Sequence, residues 1–517
     1  MLHWSLPHLP SDGRRWWIGG VLAVVLVLIG GSAVWSVKEW PFTRDALTRT
    51  LEERLRGRVV FGQFRETWFP PGCVADDVRL LSPKGAENPP LITARNLIIR
   101  TSWLGLVNHH IGKIKVVGLH LTIPPAKASG QSSFMLDTGG KTDVSSIAEI
   151  EFNDAVLELL PPAEGWRKTT MEIHQLVLDH LADGKTAYFH LSLKTGRPTG
   201  EVKAQGSAGP WNTNNAGTTP ISGIYQFADA NLAAFKGLRG TLSSAGKFSG
   251  NLSKIDTAGS VDVPRFQVDG SAESVHLMAR FRATVDTQTA DTVLEEVEAH
   301  VGRTIVVATG NVSGGGDAAG KTARLDMTVD TGRLEDLLNY FSRERHPSMT
   351  GDVRFRAHVE LPPGPGFLRK VRLTGDFGVS GGEFTSPGRQ TPVNHLSDSA
   401  QGEKKPQEDP RTVLSNIKGH VAVRDGTASL TNVSFEFPGA LAEMNGTYNL
   451  IPQTVDIRGT LRTDGTLSDA TSGIKALMVK VATPFLKKKR TTIVPFAISG
   501  SSSNPTIGLD LRNKVKL

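Results

Sequence analysis

Short runs in which apolar and polar residues alternate are the feature that most constrains this chain. They recur from about residue 58 onward, and polar or glycine-rich turns separate them; the chain has 54 glycines in 517 residues. A period of two residues places alternate side chains on opposite faces of a β-strand. The sequence therefore predicts a mainly β protein with an elongated, curved antiparallel sheet. Apolar residues at helical spacing predict a few short amphipathic helices, at 43–57, 231–238 and 332–344.

One glycine-rich segment fits the phosphate-binding loop pattern G-x-x-x-x-G-K-[ST], with Gly315, Gly320, Lys321 and Thr322 in the defining places. That pattern binds phosphate where a strand runs into a helix N terminus. Here alternating residues continue on both sides, in RTIVVATGNVS and in TARLDMTVD. We therefore interpret the segment as a hairpin loop, with Lys321 as a solvated charge at its rim.

Charge and cysteine content restrict the classes of function. A net charge of +7 favours anionic partners, either lipid headgroups or nucleic acid. No zinc-finger spacing, aromatic RNA-binding signature or long basic helix occurs, so we predict no nucleic-acid partner. Cys73 is the only cysteine, which excludes an intrachain disulfide. Because metal-ligand spacing and catalytic motifs are also missing, we predict no metal, no cofactor and no enzymatic activity.

The N-terminal region contains an uncharged run at 18–37. Twenty helical residues span roughly 30 Å of hydrocarbon, which predicts a transmembrane helix. Interfacial tryptophans bracket the run: Trp16, Trp17, Trp35 and Trp40. A cleaved signal peptide remains the alternative. More basic residues follow the run than precede it, yet long domains cross membranes regardless of charge, so we expect a short cytoplasmic tail and a translocated body.

The C-terminal third has the clearest alternation, with one apolar and one polar face. A single antiparallel sheet cannot leave an apolar face in water. The face must close on itself, stack on a second sheet, or curl into a groove that holds an apolar ligand. The candidate residues for a lipid groove are Val421, Val423, Leu430, Val455, Ile457 and Leu461. An ordinary sandwich core remains the alternative interpretation.

Two further C-terminal segments differ from this pattern. Residues 395–410 are polar and poor in apolar side chains, which predicts a disordered insertion. Residues 467–486 predict a terminal helix that ends in four basic residues, Lys487, Lys488, Lys489 and Arg490. The helix could cap the end of the sheet, which we favour, or bring these basic residues into contact with anionic headgroups.

Several strings occur in the order found in a known family. They are LEERLRGRVVFGQF, WFPPG, ADDVRL, TSWLGL and VVGLHLTIP near the N terminus, then GRLEDLL, PPGPG, VRLTGDFGVSGGEFT, SNIKGHVAVRDGTASLTNVSFEFPGALAEMNGTYNL and LSDATSGIKALMVKVATPFLKKKRTTIVPFAISGSSSNPTIGLDL. With these strings the chain resembles the AsmA-like bacterial envelope family. Residues from about 125 to 300 carry little of the resemblance.

The resemblance implies a bridge-like lipid-transfer protein that is anchored in the bacterial inner membrane by a single span, with its body in the periplasm. Its partners would be phospholipids and the inner membrane, and outer-membrane or periplasmic envelope proteins. The alternative is an envelope scaffold or outer-membrane protein assembly factor that carries no lipid. The predicted organisation is a cytoplasmic tail at 1–17, the transmembrane helix at 18–37, a helix and first β segment at 38–125, a central β meander at 126–345 and a C-terminal AsmA-like β region at 346–517.

Overall fold

The protein is described here by a computed structural model. It describes residues 40–509 except 56, 82–91, 124–145, 160–168, 183, 213–214, 236, 288, 290, 315–319, 341–345, 365, 388–389, 392, 395–413, 464–491 and 503. The predicted tail at 1–17, transmembrane helix at 18–37, insertion at 395–410, and helix at 467–486 with its basic end lie outside these residues. Within the described part, no helix has the length and apolar character needed to cross a membrane.

The described chain is mainly β, as the alternation predicts. The strands are β1 (Arg58–Trp68), β2 (Pro71–Leu81), β3 (Ile92–Arg100), β4 (His110–Val117), β5 (His120–Ile123), β6 (Ser146–Leu159), β7 (Thr169–Ala182), β8 (Ala187–Gly196), β9 (Thr199–Ala208), β10 (Pro220–Asn231), β11 (Leu238–Arg239), β12 (Thr241–Asn251), β13 (Lys254–Val268), β14 (Val275–Asp286), β15 (Thr292–Val301), β16 (Thr304–Gly314), β17 (Lys321–Arg333), β18 (Met349–Leu361), β19 (Arg372–Phe384), β20 (Ser415–Arg424), β21 (Thr427–Phe437), β22 (Ala440–Asn449), β23 (Thr454–Thr463), β24 (Thr492–Ser501) and β25 (Asn504–Leu509). The helices are α1 (Arg44–Leu55), α2 (Trp103–Val107), α3 (Leu334–Leu338) and α4 (Phe367–Lys370).

These strands form one sheet in which spatial order follows chain order. Successive strands pair antiparallel, except that the short β11 pairs with β13 while β10 pairs directly with β12. One strand pairing departs from the predicted antiparallel pattern. β4 and β5 are consecutive pieces that both pair with β3, and β6 lies parallel to both of them. The chain therefore returns to the start of β4 before β6 begins, so that Ser146 pairs with His110.

Ion pairs reinforce the parallel join on its polar face. Lys113 Nζ lies 2.7 Å from a carboxylate oxygen of Glu149 and 2.6 Å from one of Glu151, and Lys115 Nζ lies 3.3 Å from the other oxygen of Glu151. The Glu151 side chain is only 10% exposed. Hydrogen bonds from Lys113 and Asn153 lower the pKa of the Glu151 carboxyl to about 2. A charged carboxylate thus holds β6 against β4.

We expect Glu151→Gln to weaken this join, with a loss of about 1–2 kcal/mol in the free energy of unfolding at neutral pH. Because the pKa of Glu151 is lowered in the folded state, its contribution is present above about pH 4.5 and is lost as the pH falls towards 2. Urea unfolding of both proteins across this range should show a difference that shrinks on acidification. Glu149→Gln, at a more exposed site, is the matched control; an equal loss there would contradict the assignment.

Helix α1 confirms the helix predicted at 43–57. Thr43 Oγ1 accepts a hydrogen bond from Ala46 N at 3.2 Å and so caps the N terminus. Leu47 and Leu51 are buried in one cluster with Val59 and Phe61 of β1. The amphipathic face of α1 therefore covers the first strands of the sheet.

The prediction of a helix at 231–238 is wrong, because the described part of this segment contains only a single 3₁₀ turn, Leu232–Ala234. Its last residues instead form β11, because Leu238 and Arg239 hydrogen bond to β13. The positive φ angles of Gly237 and Gly240 allow the chain to turn on each side of this short strand. In the segment predicted at 332–344, α3 covers Leu334–Leu338, and 341–345 lie outside the described residues.

The hairpin predicted around the glycine-rich segment is confirmed, since β16 pairs antiparallel with β17. The prediction of a solvated Lys321 is wrong. This residue is 3% exposed, and Nζ donates hydrogen bonds to Thr289 O at 2.8 Å and to Asp291 Oδ1 at 2.9 Å. The register places Lys321 on the same side of β17 as the buried Ala323, and the loop between β14 and β15 supplies its partners. The lysine thus joins two hairpins.

Candidate functional site

One row of side chains runs across almost the whole sheet. Residues that pair directly between neighbouring strands lie on the same face, so the register can be followed from strand to strand. Starting on β1 and ending on β24, row I consists of Phe64, Ala75, Leu97, Val116, Phe152, Leu176, Leu191, Ala204, Tyr225, Gly246, Gly259, Phe281, Val297, Ala308, Met327, Ala357, Gly375, Val421, Leu430, Gly446, Ile457 and Ile498. Row I contains no charged residue.

A second row runs beside the first on the same face. Starting on β2, row II consists of Cys73, Ile99, Ile114, Ile150, Leu178, Phe189, Gly206, Gly223, Phe248, Thr257, Ala283, Leu294, Gly310, Leu325, Val359, Leu373, Val423, Ala428, Tyr448, Val455 and Gly500. From β2 onward row II is likewise free of charged residues, and Glu66 pairs with Cys73 at its β1 end. We call the surface formed by rows I and II the apolar face.

The opposite face of the sheet is charged. Polar contacts join side chains of neighbouring strands at positions that alternate with rows I and II. Three are ion pairs, Arg282–Glu296, Glu360–Arg372 and Glu443–Arg462, and three are contacts of a histidine with a carboxylate, Asp262–His276, Asp326–His358 and Asp376–His420. Such exposed pairs contribute little stability individually, with a typical value of roughly 0–1 kcal/mol. They show instead which face is in water, so the sheet is amphipathic along its whole described length.

The apolar face is closed at its N-terminal end, whereas further along it mixes buried members, such as Val359 at 0% exposure, with partly exposed ones. Ile114 and Ile150 are 0% exposed, and α1 covers this end of the sheet. From β8 onward many members of row I remain partly exposed, among them Leu191, Val297 and Ile457. The described strands all belong to this one sheet, so no second sheet among the described residues is available to stack on the apolar face.

Glycines shape the middle of the apolar face. Tyr225 of β10 lies over Gly246 and Gly259, because a Cβ added at either glycine would meet its ring or hydroxyl group at 3.0 or 2.9 Å. Phe248 covers Gly223 in the same way, at 2.8 Å. Its ring centroid lies only 6.4 Å from that of Phe189, although β9 and β10 lie between the two strands. The sheet is thus strongly curved here, and aromatic rings cover positions that lack side chains.

The structure places all six residues predicted for the groove on one face. Val421, Leu430 and Ile457 belong to row I, and Val423 and Val455 belong to row II. Leu461 pairs with Ala442 and Val494 and is buried with them in a separate cluster. Their role in lipid binding stays a prediction, as does that of the four basic residues Lys487–Arg490, which lie outside the described residues.

Sequence reasoning missed the central and N-terminal members of the face. Glycines hid the central members, because Gly246 and Gly259 interrupt the alternation that marks an apolar strand face. Pairs of glycine and aromatic residues at matching distances from a hairpin turn were the signal that could have identified these positions.

No family model and no curated protein matches the chain. The class of protein therefore comes from the architecture. It is a long β-sheet with a continuous apolar face and a charged opposite face.

Proposed function

We propose that this chain is a membrane-anchored periplasmic protein that holds phospholipids, or transfers them towards the outer membrane. Their acyl chains would lie in a groove whose floor is the apolar face. The observation that carries the proposal is the unbroken course of rows I and II from the first strands to β24. Removing apolar surface from water is favourable by roughly 25 cal/mol per Å². A bound acyl chain would shield those parts of the apolar face that the protein itself leaves exposed.

The shape of the apolar face suits a sliding ligand better than a fixed one. Apolar contacts are non-directional, so an acyl chain meets similar surroundings at each successive strand. The strands stand about 4.8 Å apart, so the face extends on the order of 100 Å along the sheet. The charged side of the sheet needs no cover, and lipid headgroups could remain in water at the edge of the groove. The resemblance to AsmA-like proteins supports the membrane anchor and the transfer of phospholipids towards the outer membrane.

A second function is favoured by a different observation. Among the described residues β25 pairs with β24 alone, so it is an edge strand of the described sheet. Such an edge can add a strand from another protein. A scaffold or an assembly factor for outer-membrane proteins would use this edge and would carry no lipid.

Photo-crosslinking in living cells tests the lipid proposal. We expect benzoylphenylalanine at Phe281, a partly exposed member of row I, to form covalent adducts with phospholipids. The matched control is Arg280, the preceding residue of β14, which is exposed on the charged face. Mass spectrometry of the purified full-length chain should find lipid adducts at position 281 and none at 280. Folded protein without adducts at 281 would contradict lipid carriage and favour the scaffold.

A further inference from the structure

Two loops next to the first described residues expose a cluster of apolar side chains. Trp68 and Phe69 lie where β1 turns into β2, and Trp103, Leu104 and Val107 lie on α2. Phe69, Val107 and Leu104 are 86%, 77% and 76% exposed, which makes them the three most exposed large apolar side chains in the described chain. We call these five residues the aromatic patch. Contiguous exposed apolar surface of this kind marks a site of interaction.

The two loops are held together as one surface. Trp40 packs between them, with its ring stacked on Trp68 at a centroid distance of 4.2 Å and 5.9 Å from the ring of Trp103. The rings of Phe69 and Trp103 are 5.8 Å apart. Backbone contacts add rigidity, since Thr101 N donates a hydrogen bond to Pro71 O at 2.8 Å. The patch is therefore a preformed surface.

We propose that the aromatic patch inserts into the boundary between headgroups and acyl chains of the membrane that holds the anchor. Trp40 contacts the patch and stands only three residues after the predicted transmembrane run at 18–37. Three residues reach at most about 11 Å, so the patch must lie close to that bilayer surface. Tryptophan and phenylalanine suit the interface, where an aromatic ring meets both water and hydrocarbon. Exposed Arg65 and Arg100 flank the two loops and suit anionic headgroups, although the exposed Glu66 next to Arg65 offsets one of these charges.

Docking by the aromatic patch would set the orientation of the sheet relative to the bilayer. Row I begins at Phe64, four residues before Trp68 on the same strand, and row II begins at Cys73, in the strand that follows Phe69. Attachment through the anchor alone would leave the tilt of the body unconstrained. The patch supplies a second attachment at the same end, so the first strands would stand at the bilayer surface and the later strands would lead away from it. The inference rests on the predicted anchor and is independent of whether lipid is carried.

A single labelled cysteine can test this docking in the full-length chain. The native Cys73 is 0% exposed, and burial raises the pKa of its thiol to about 12, so it stays protonated and unreactive near neutral pH. Phe69→Cys and Leu104→Cys can then each carry an environment-sensitive nitrobenzoxadiazole fluorophore. The matched control is Ile305→Cys, an exposed apolar position on the charged side of β16. The variants are reconstituted in vesicles of phosphatidylethanolamine and phosphatidylglycerol with doxyl-labelled lipids.

We expect blue-shifted emission at positions 69 and 104, with severalfold stronger quenching by a doxyl group near the headgroup than by one near the end of the acyl chain. Position 305 should show neither effect. Vesicle-bound protein without quenching at 69 and 104 would overturn the inference, and so would equal quenching at 305 or a failure to bind vesicles. Blue-shifted emission without lipid quenching would indicate a protein partner and would also overturn it. Adducts at position 281 report lipid carriage separately, so either proposal can fail alone.

Discussion

Ile457→Asp is expected to reduce lipid transfer at least tenfold while the sheet remains folded. Ile457 lies in row I between Gly446 and Ile498 and is partly exposed, so a carboxylate there can keep some water. An acyl chain that moves along row I would have to pass this hydrated charge and remove part of its water, which is unfavourable. The loss in the free energy of unfolding should be about 1–3 kcal/mol. Transfer of a fluorescent phospholipid between donor and acceptor vesicles measures the effect.

Ser429→Asp is the matched control, because Ser429 is exposed on the charged side of β21, next to Leu430 of row I. It introduces the same charge on the other face and should leave transfer unchanged. Unaltered transfer in Ile457→Asp would reject the groove. Unfolding of the C-terminal strands by Ile457→Asp would show that this part of the face is a closed core, as in the alternative interpretation of the sequence.

Ile150→Ala is expected to destabilise the N-terminal end of the sheet by about 3 kcal/mol, within the usual range for removing a buried isoleucine side chain. Ile150 is 0% exposed and pairs with Ile114 and Leu178, so the neighbouring strands cannot easily close the resulting cavity. The midpoint of the urea unfolding transition, followed by circular dichroism, measures the loss.

Ile457→Ala provides the comparison for Ile150→Ala, since it removes the same atoms from the partly exposed end of the apolar face. Its loss should be less than half as large, because a partly exposed side chain gains less from burial. Equal losses would mean that both ends of the face are equally closed and would contradict an open groove at the C-terminal end. The two variants therefore map where the apolar face needs a ligand to cover it.

Local features of the sequence predicted much of this fold. The alternation of Val421 and Val423, and of Val455 and Ile457, predicted strands with one apolar face, and the structure confirms this face. The hairpin between β16 and β17 was predicted from its flanks, and α1 was predicted from its apolar spacing. In each case neighbouring residues contain the signal.

Other features could not be predicted because they depend on partners that are distant in the chain. Lys321 is buried because Thr289 and Asp291, about 30 residues earlier, supply hydrogen-bond acceptors. Residues 238–239 form a strand because β13 offers a free edge to them. The parallel pairing of β6 with β4 requires the chain to return along the strand direction to the start of β4. Ion pairs on one face stabilise the pairing of the two strands. Local propensity contains none of this information.

The sequence by itself determined that each strand has one apolar and one polar face, because side chains alternate with a period of two. Only the tertiary structure decided that these separate strand faces join into two continuous rows. A slip of one residue between neighbouring strands would move every side chain of one strand to the other face. The hydrogen-bonded register of the sheet excludes that slip, and an irregular position such as Asn432, with a φ angle of 52°, lies where the register shifts by one residue. Continuity of the apolar face is thus a property of hydrogen bonding between strands, which no single strand specifies.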